Sequence, residues 1–103
     1  MLICYRRDGS PYPAGKAGIL EWAKDFEDTE QHVVRQETLA DGYWISTVWI
    51  GIDLHLIPSG PPVIFETTVR NPEGEVTGYR EGYSTEEEAI AGHMKVVEEY
   101  RHR

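Results

Sequence analysis

YWISTVWIGIDLHLIPSGPPVIFETTV, residues Tyr43 to Val69, is the densest run of aromatic and β-branched side chains in the chain. Ser59-Gly60-Pro61-Pro62 breaks it with turn chemistry, so it reads as two apolar strands, Tyr43 to Ile52 and Val63 to Arg70, joined by a loop. Strand side chains alternate, which sends Trp44, Ser46, Val48, Ile50 and Ile52 to one face and Tyr43, Ile45, Thr47, Trp49 and Gly51 to the other. Both faces are mainly apolar, which places this strand centrally in a sheet. One face is expected to meet helices, and the other a second subunit or a ligand, because a monomer rarely leaves a large apolar patch in water.

Neighbouring strands follow outward from this stretch. His32 to Leu39 carries β-branched residues in partial alternation with polar ones, and Asp41-Gly42 after it is a two-residue hairpin signal. In the second strand Val63, Phe65, Thr67 and Val69 share one face and Ile64, Glu66, Thr68 and Arg70 the other. Asn71-Pro72-Glu73-Gly74 is a further turn, and Glu75 to Tyr83 returns as a more polar strand near an edge. Met1 to Arg7 reads as a short first strand, stopped by Asp8-Gly9 and by Pro11 and Pro13.

Two segments have helical spacing. In Lys16 to Glu27 the apolar Ile19, Leu20, Trp22, Ala23 and Phe26 recur on one side. The second helix starts at Ser84-Thr85-Glu86-Glu87-Glu88, where Ser84 and Glu87 form a capping box, and Ala89, Ile90, His93, Met94, Val97 and Tyr100 form its inward stripe. The expected architecture is α+β in the order β-α-β-β-β-β-α: a largely antiparallel sheet of about five strands with two α-helices packed on one face, as a single domain over residues 1–103.

Composition limits the function. At 103 residues the chain is one small domain, and 18 acidic against 10 basic side chains leave a formal charge of -8. That charge repels nucleic-acid backbones and anionic membranes, which disfavours general nucleic-acid binding. Cys4 is the single cysteine, has no internal disulfide partner, and fits a reducing cytoplasm. No stretch is long enough to span a bilayer, and Arg6, Arg7 and Asp8 end the first apolar run too early for a signal peptide.

The runs Ser46-Thr47-Val48-Trp49-Ile50-Gly51-Ile52-Asp53, Gly60-Pro61-Pro62-Val63-Ile64-Phe65-Glu66-Thr67, Tyr83-Ser84-Thr85 and Glu88-Ala89-Ile90-Ala91-Gly92-His93 resemble a family of small uncharacterised proteins found in bacteriophages and prophages. The resemblance covers Gly42 to His93, over half of the chain. It carries no activity across. In similar proteins a His or Asn often stands at the position of Leu54, whereas here His55 comes one place later. The resemblance implies a phage or prophage origin, action in the cytoplasm of a bacterial host, and an accessory role of the kind that binds a host protein or sequesters a small molecule.

Two functional readings compete. In the first the chain is a non-enzymatic binding protein and an oligomer, taking a partner protein or a small ligand on an aromatic sheet face with Trp44 and Trp49. A nucleotide second messenger is the specific candidate, because aromatic rings stack on bases and arginines such as Arg70 hold phosphate. Asp53, His55, Glu66 and His93 supply further polar groups. In the second reading these four residues hold a divalent metal for hydrolysis, since two imidazoles and carboxylates are a suitable donor set. The bland alternative makes Asp53 a turn residue, Glu66 a strand-paired acid and His93 a hydrogen-bonded helix residue. Ser46, Ser59 and Ser84 lack a nucleophile-elbow context, and the glycines match no phosphate loop. No cofactor is expected.

Overall fold

A computed structural model describes residues 3–54 and 60–102. Its elements are α1 (Lys16–Glu27), α2 (Thr29–His32), β1 (Val33–Thr38), β2 (Trp44–Trp49), β3 (Phe65–Arg70), β4 (Val76–Tyr83) and α3 (Glu86–Arg101). The strands form one antiparallel meander in the order β1-β2-β3-β4.

The sheet has four strands rather than five. Residues 3–7 make only isolated bridges, Cys4 to Ile52 and Tyr5 to Pro11. The cause is the turn chemistry that follows: Gly9 N donates to Arg6 O and Arg6 N to Ser10 O, so the chain doubles back after two or three residues. The prolines then deny it a continuing ladder. The helices also divide their work differently from the expectation of two on one face. α3 packs against all four strands, while α1 packs on α2 and lays Trp22 and Phe26 against the apolar cluster around Trp49. α1 reaches the sheet through Trp22, whose Nε1 donates to Ile50 O at 2.9 Å. Ile19 and Leu20, placed on the inward stripe by spacing, are 38% and 60% exposed, and Met94 of α3 is 42% exposed, its inward place taken by Val96.

Gly51 explains why β2 stops at Trp49 instead of running to Ile52. Its φ is +78°, and a Cβ there would lie 2.5 Å from Trp22 Nε1 and 2.7 Å from the Trp49 ring. Only glycine lets the backbone turn this close to two indoles. Trp49 is thereby locked: its Nε1 donates to Tyr5 O at 3.0 Å and its own carbonyl accepts from His32 Nδ1 at 2.8 Å.

Two apolar clusters lie under α3. Cys4, Tyr12, Trp49, Ile64, Phe65 and Ala89 form one; Leu39, Ile45, Val69, Val96, Val97 and Tyr100 form the other. Along β2, Ile45 belongs to the second and Trp49 to the first. Thr47, between them, is buried and polar.

Candidate functional site: an open sheet face

Register sorts the sequence-derived candidates onto two sides of the sheet. Ile45 pairs with Val69, Thr47 with Thr67 and Trp49 with Phe65. These residues are buried beneath α3. Trp44 pairs with Arg70, Ser46 with Thr68 and Val48 with Glu66, and these point the other way. Trp44 and Trp49 are therefore on opposite sides. An aromatic face holding both does not form, because five residues along a regular strand reverse the side-chain direction. Trp49, 1% exposed, is core; Trp44 belongs to neither apolar cluster.

On the covered side lies a polar row. His93 of α3 contacts Thr47 Oγ1 through Nδ1 at 2.7 Å and Glu37 Oε1 through Nε2 at 3.0 Å, and Thr47 Oγ1 meets Thr67 Oγ1 at 2.5 Å. The Tyr83 hydroxyl is buried beside Thr67 without a hydrogen bond of ordinary geometry. His93, Thr47 and Thr67 have no exposed surface. Burial pushes the His93 pKa down, against the opposing pull of Glu37, and so favours the neutral ring. With Glu37 accepting at Nε2, that nitrogen carries the proton; Nδ1 accepts from Thr47, and Thr47 in turn accepts from Thr67. An acid, an imidazole and a hydroxyl in line have the connectivity of a nucleophile relay. Thr47 is sealed between the sheet and α3, so no substrate can reach it in this conformation, and the row acts as a polar pin fixing α3 on the sheet.

The open side is different in kind. Trp44 lies directly opposite Arg70, with side-chain origins about 5 Å apart for such a pair. Arg80 of β4 stands opposite Thr68, the next same-face position along β3 from Arg70. Arg80 holds Glu66 Oε2 through Nε at 3.3 Å and Nη2 at 2.8 Å, while its side chain stays 68% exposed. Arg70 donates from Nη1 to Gly74 O at 3.0 Å. Gln36 donates to Ser46 Oγ at 3.0 Å, closing the surface between β1 and β2. Between β3 and β4 a groove of about 290 Å³ is lined in part by Thr68, Val76, Gly78 and Arg80.

Charge separates this face from the rest of the molecule. The acids within the strands are Glu37, Glu66 and Glu81; the first and last share register rows with Ile45 and Thr67 on the covered side. Only Glu66 points to the open face, and Arg80 pairs with it. Arg70, Arg80 and Glu66 together give this face a charge of +1, on a chain carrying -8 overall.

Of the remaining candidates, Asp53 is in the connection after β2, where Oδ1 accepts from Val63 N at 3.0 Å and ties the ends of the β2–β3 loop. His55 lies outside the described residues. Glu66 and His93 are separated by the sheet itself, and no group of three His, Cys, Asp or Glu side chains able to hold a metal occurs among the described residues. The structure thus pairs Trp44 with Arg70, sets Glu66 on the same face four positions along, and places Trp49, His93 and Asp53 elsewhere. From the sequence, Arg80 stands only among six basic residues, with Arg6, Arg7, Lys16, Arg35 and Arg70, that could converge on an anionic ligand, and Glu37, Thr47 and Thr67 are missing from the surroundings of His93. Arg80 had a usable signal, since it follows the turn at Asn71–Gly74 at a distance that returns it to the Arg70 side.

No family model, curated protein or solved structure matches this chain. The open face is accordingly read from its own chemistry.

Among the described residues no helix is long and apolar enough to cross a membrane.

Proposed function

We propose that the protein is a non-enzymatic binding module, an accessory protein of the phage type, whose working surface is the open sheet face and whose ligand is a nucleotide-like molecule: a flat aromatic ring carrying phosphate. The observation that carries this reading is the register pair Trp44–Arg70, with Arg80 diagonal to it, on a face of positive charge in a strongly acidic chain. Trp44 offers a stacking plane, and the arginine forks suit phosphate oxygens. The surrounding -8 charge weakens binding of long nucleic acids, where every added phosphate meets acidic surface, while a ligand with one or two phosphates stays within the basic patch. The metal-hydrolase alternative gains no support, because its Glu66 and His93 lie on opposite sides of the sheet.

Titration of the protein with mononucleotides and with linear and cyclic dinucleotides, followed by calorimetry and tryptophan emission, tests the reading. At least one ligand of this class binds, and Trp44→Ala weakens it about 10- to 100-fold, matching roughly 1–3 kcal/mol per stacked base. The Trp44→Ala fold survives, since Trp44 is outside both core clusters. Heat from none of these ligands would sink the reading.

A further inference from the structure

The groove on the open face lies between β3 and β4, away from Trp44 on β2, so a ring lying on Trp44 is covered from one side only. Small-molecule sites ordinarily bury 70–90% of the ligand, so one sheet surface makes half a site. The missing half is best supplied by a second copy. Resting on the nucleotide reading above, the geometry points to a ligand-bridged dimer: two chains stack their open faces about a twofold axis, with an aromatic ligand bearing two phosphates held between their Trp44, Arg70 and Arg80 side chains.

Charge supports this occupant. Each face carries +1 on a chain of -8, so two copies without ligand repel both face to face and as whole molecules. A ligand with two negative charges neutralises the two faces at once. Area supports it too. Four strands of about six residues cover roughly 20 Å by 19 Å at ordinary strand spacing, near 400 Å² per copy, about half of what one partner buries in a standard stable interface. The faces alone are too small to hold together, and the ligand supplies the remaining contact.

Edgewise association is disfavoured by the structure. The β1 edge is bulged between Val33 and Arg35, and Arg7 Nη1 donates to Val33 O at 3.4 Å. The pairing of β4 with β3 shifts register between Thr68 and Arg70, near Gly78 with its φ of +86°. Bulged, charged edges resist strand addition, which leaves the face as the route by which the sheet associates.

Sedimentation velocity on the full chain, alone and with a cyclic dinucleotide, a linear dinucleotide or a mononucleotide, decides the matter. The expected result is a monomer alone and a dimer with one dinucleotide per two chains. Val48→Lys places a charge on the same face about 13 Å from Trp44; it should give 1:1 binding with no dimer, with the fold checked by circular dichroism. A constitutive dimer without ligand, 1:1 binding by the unmodified chain, or ligand-induced dimers that survive Val48→Lys would each overturn the bridged arrangement and leave the nucleotide reading standing. Absence of binding to every probe overturns both.

Discussion

His93 has no exposed surface and both ring nitrogens engaged, and its protonation state is coupled to folding. Burial lowers its pKa in the folded chain, so the unfolded chain holds more protons just below the ordinary histidine value of about 6.5. Stability therefore falls as pH drops through that value, and the loss stops once pH passes the depressed folded pKa. Glu37, Thr47 and, more remotely, Arg35 and Arg101 set the field the ring feels. Urea unfolding between pH 7.5 and 5.5 should show this slope, and His93→Asn should flatten it; an unchanged slope would show that another group is responsible. The histidine was recognisable from sequence as an inward helix residue, and alternation already set Glu66 on the opposite side from the residues under the helix. Its partners were not recognisable. A threonine in a strand reads first as a β-branched residue that suits the pleat, and nothing local shows that Thr47 spends its hydroxyl on a helix histidine 46 positions away, or that Thr67 spends its own on Thr47.

At the level of elements, the start of α3 shows how two equally good local signals are resolved by context. Ser84 with Glu87 and Thr85 with Glu88 both satisfy the capping-box pattern. The structure uses the second: Glu88 N donates to Thr85 Oγ1, and Thr85 N donates to Glu88 Oε1, both at 3.1 Å. β4 runs to Tyr83, and Ser84 Oγ instead faces Pro61 O at 3.4 Å, leaving Thr85 at the helix boundary. Thr85→Ala should cost about 1 kcal/mol and Ser84→Ala clearly less, measured by denaturant midpoints. Equal costs would contradict the assignment. The same reasoning explains the rest of the fold. The hairpins at Asp41-Gly42 and Asn71–Gly74 and α1 at Lys16–Glu27 were legible because turn residues and a 3.6-residue repeat are local. The first strand and the placement of α1 were misjudged because they depend on what lies nearby: a glycine that admits Trp22 beside Trp49, and a proline-ended arm too short to pair.

Over the whole molecule, acid is distributed away from one surface. The first turn of α3 is Glu86, Glu87 and Glu88, and Glu98 and Glu99 follow near its end, while the opposite side of the sheet carries arginines. The chain as a whole repels polyanions, yet one face is suited to a small one. That the unpaired side of the central strand would be the free surface was readable from alternation. Which tryptophan it held was decided by α3 taking the side with Ile45, Thr47 and Trp49.

Besides its backbone bridges to Gly51 and Ile52, the amino-terminal arm is clamped to two helices by one guanidinium. Arg7 forks onto Glu86 through Nε and Nη2, and its Nη1 donates to Glu30 O at 2.9 Å and Gln31 O at 3.2 Å. Glu86 in consequence ionises more readily than an ordinary glutamate. One side chain thus joins three segments that are remote along the polypeptide, the farthest 79 positions away. Such a knot can tie only after α2 and α3 are already in place, so it belongs to the closing step of folding rather than to the nucleus. Arg7→Ala should then leave the refolding rate in stopped-flow experiments nearly untouched and accelerate unfolding; a slowed refolding limb would place the arm early. The latch that keeps the native state from opening is, on this view, the last part to be fastened and the first to let go.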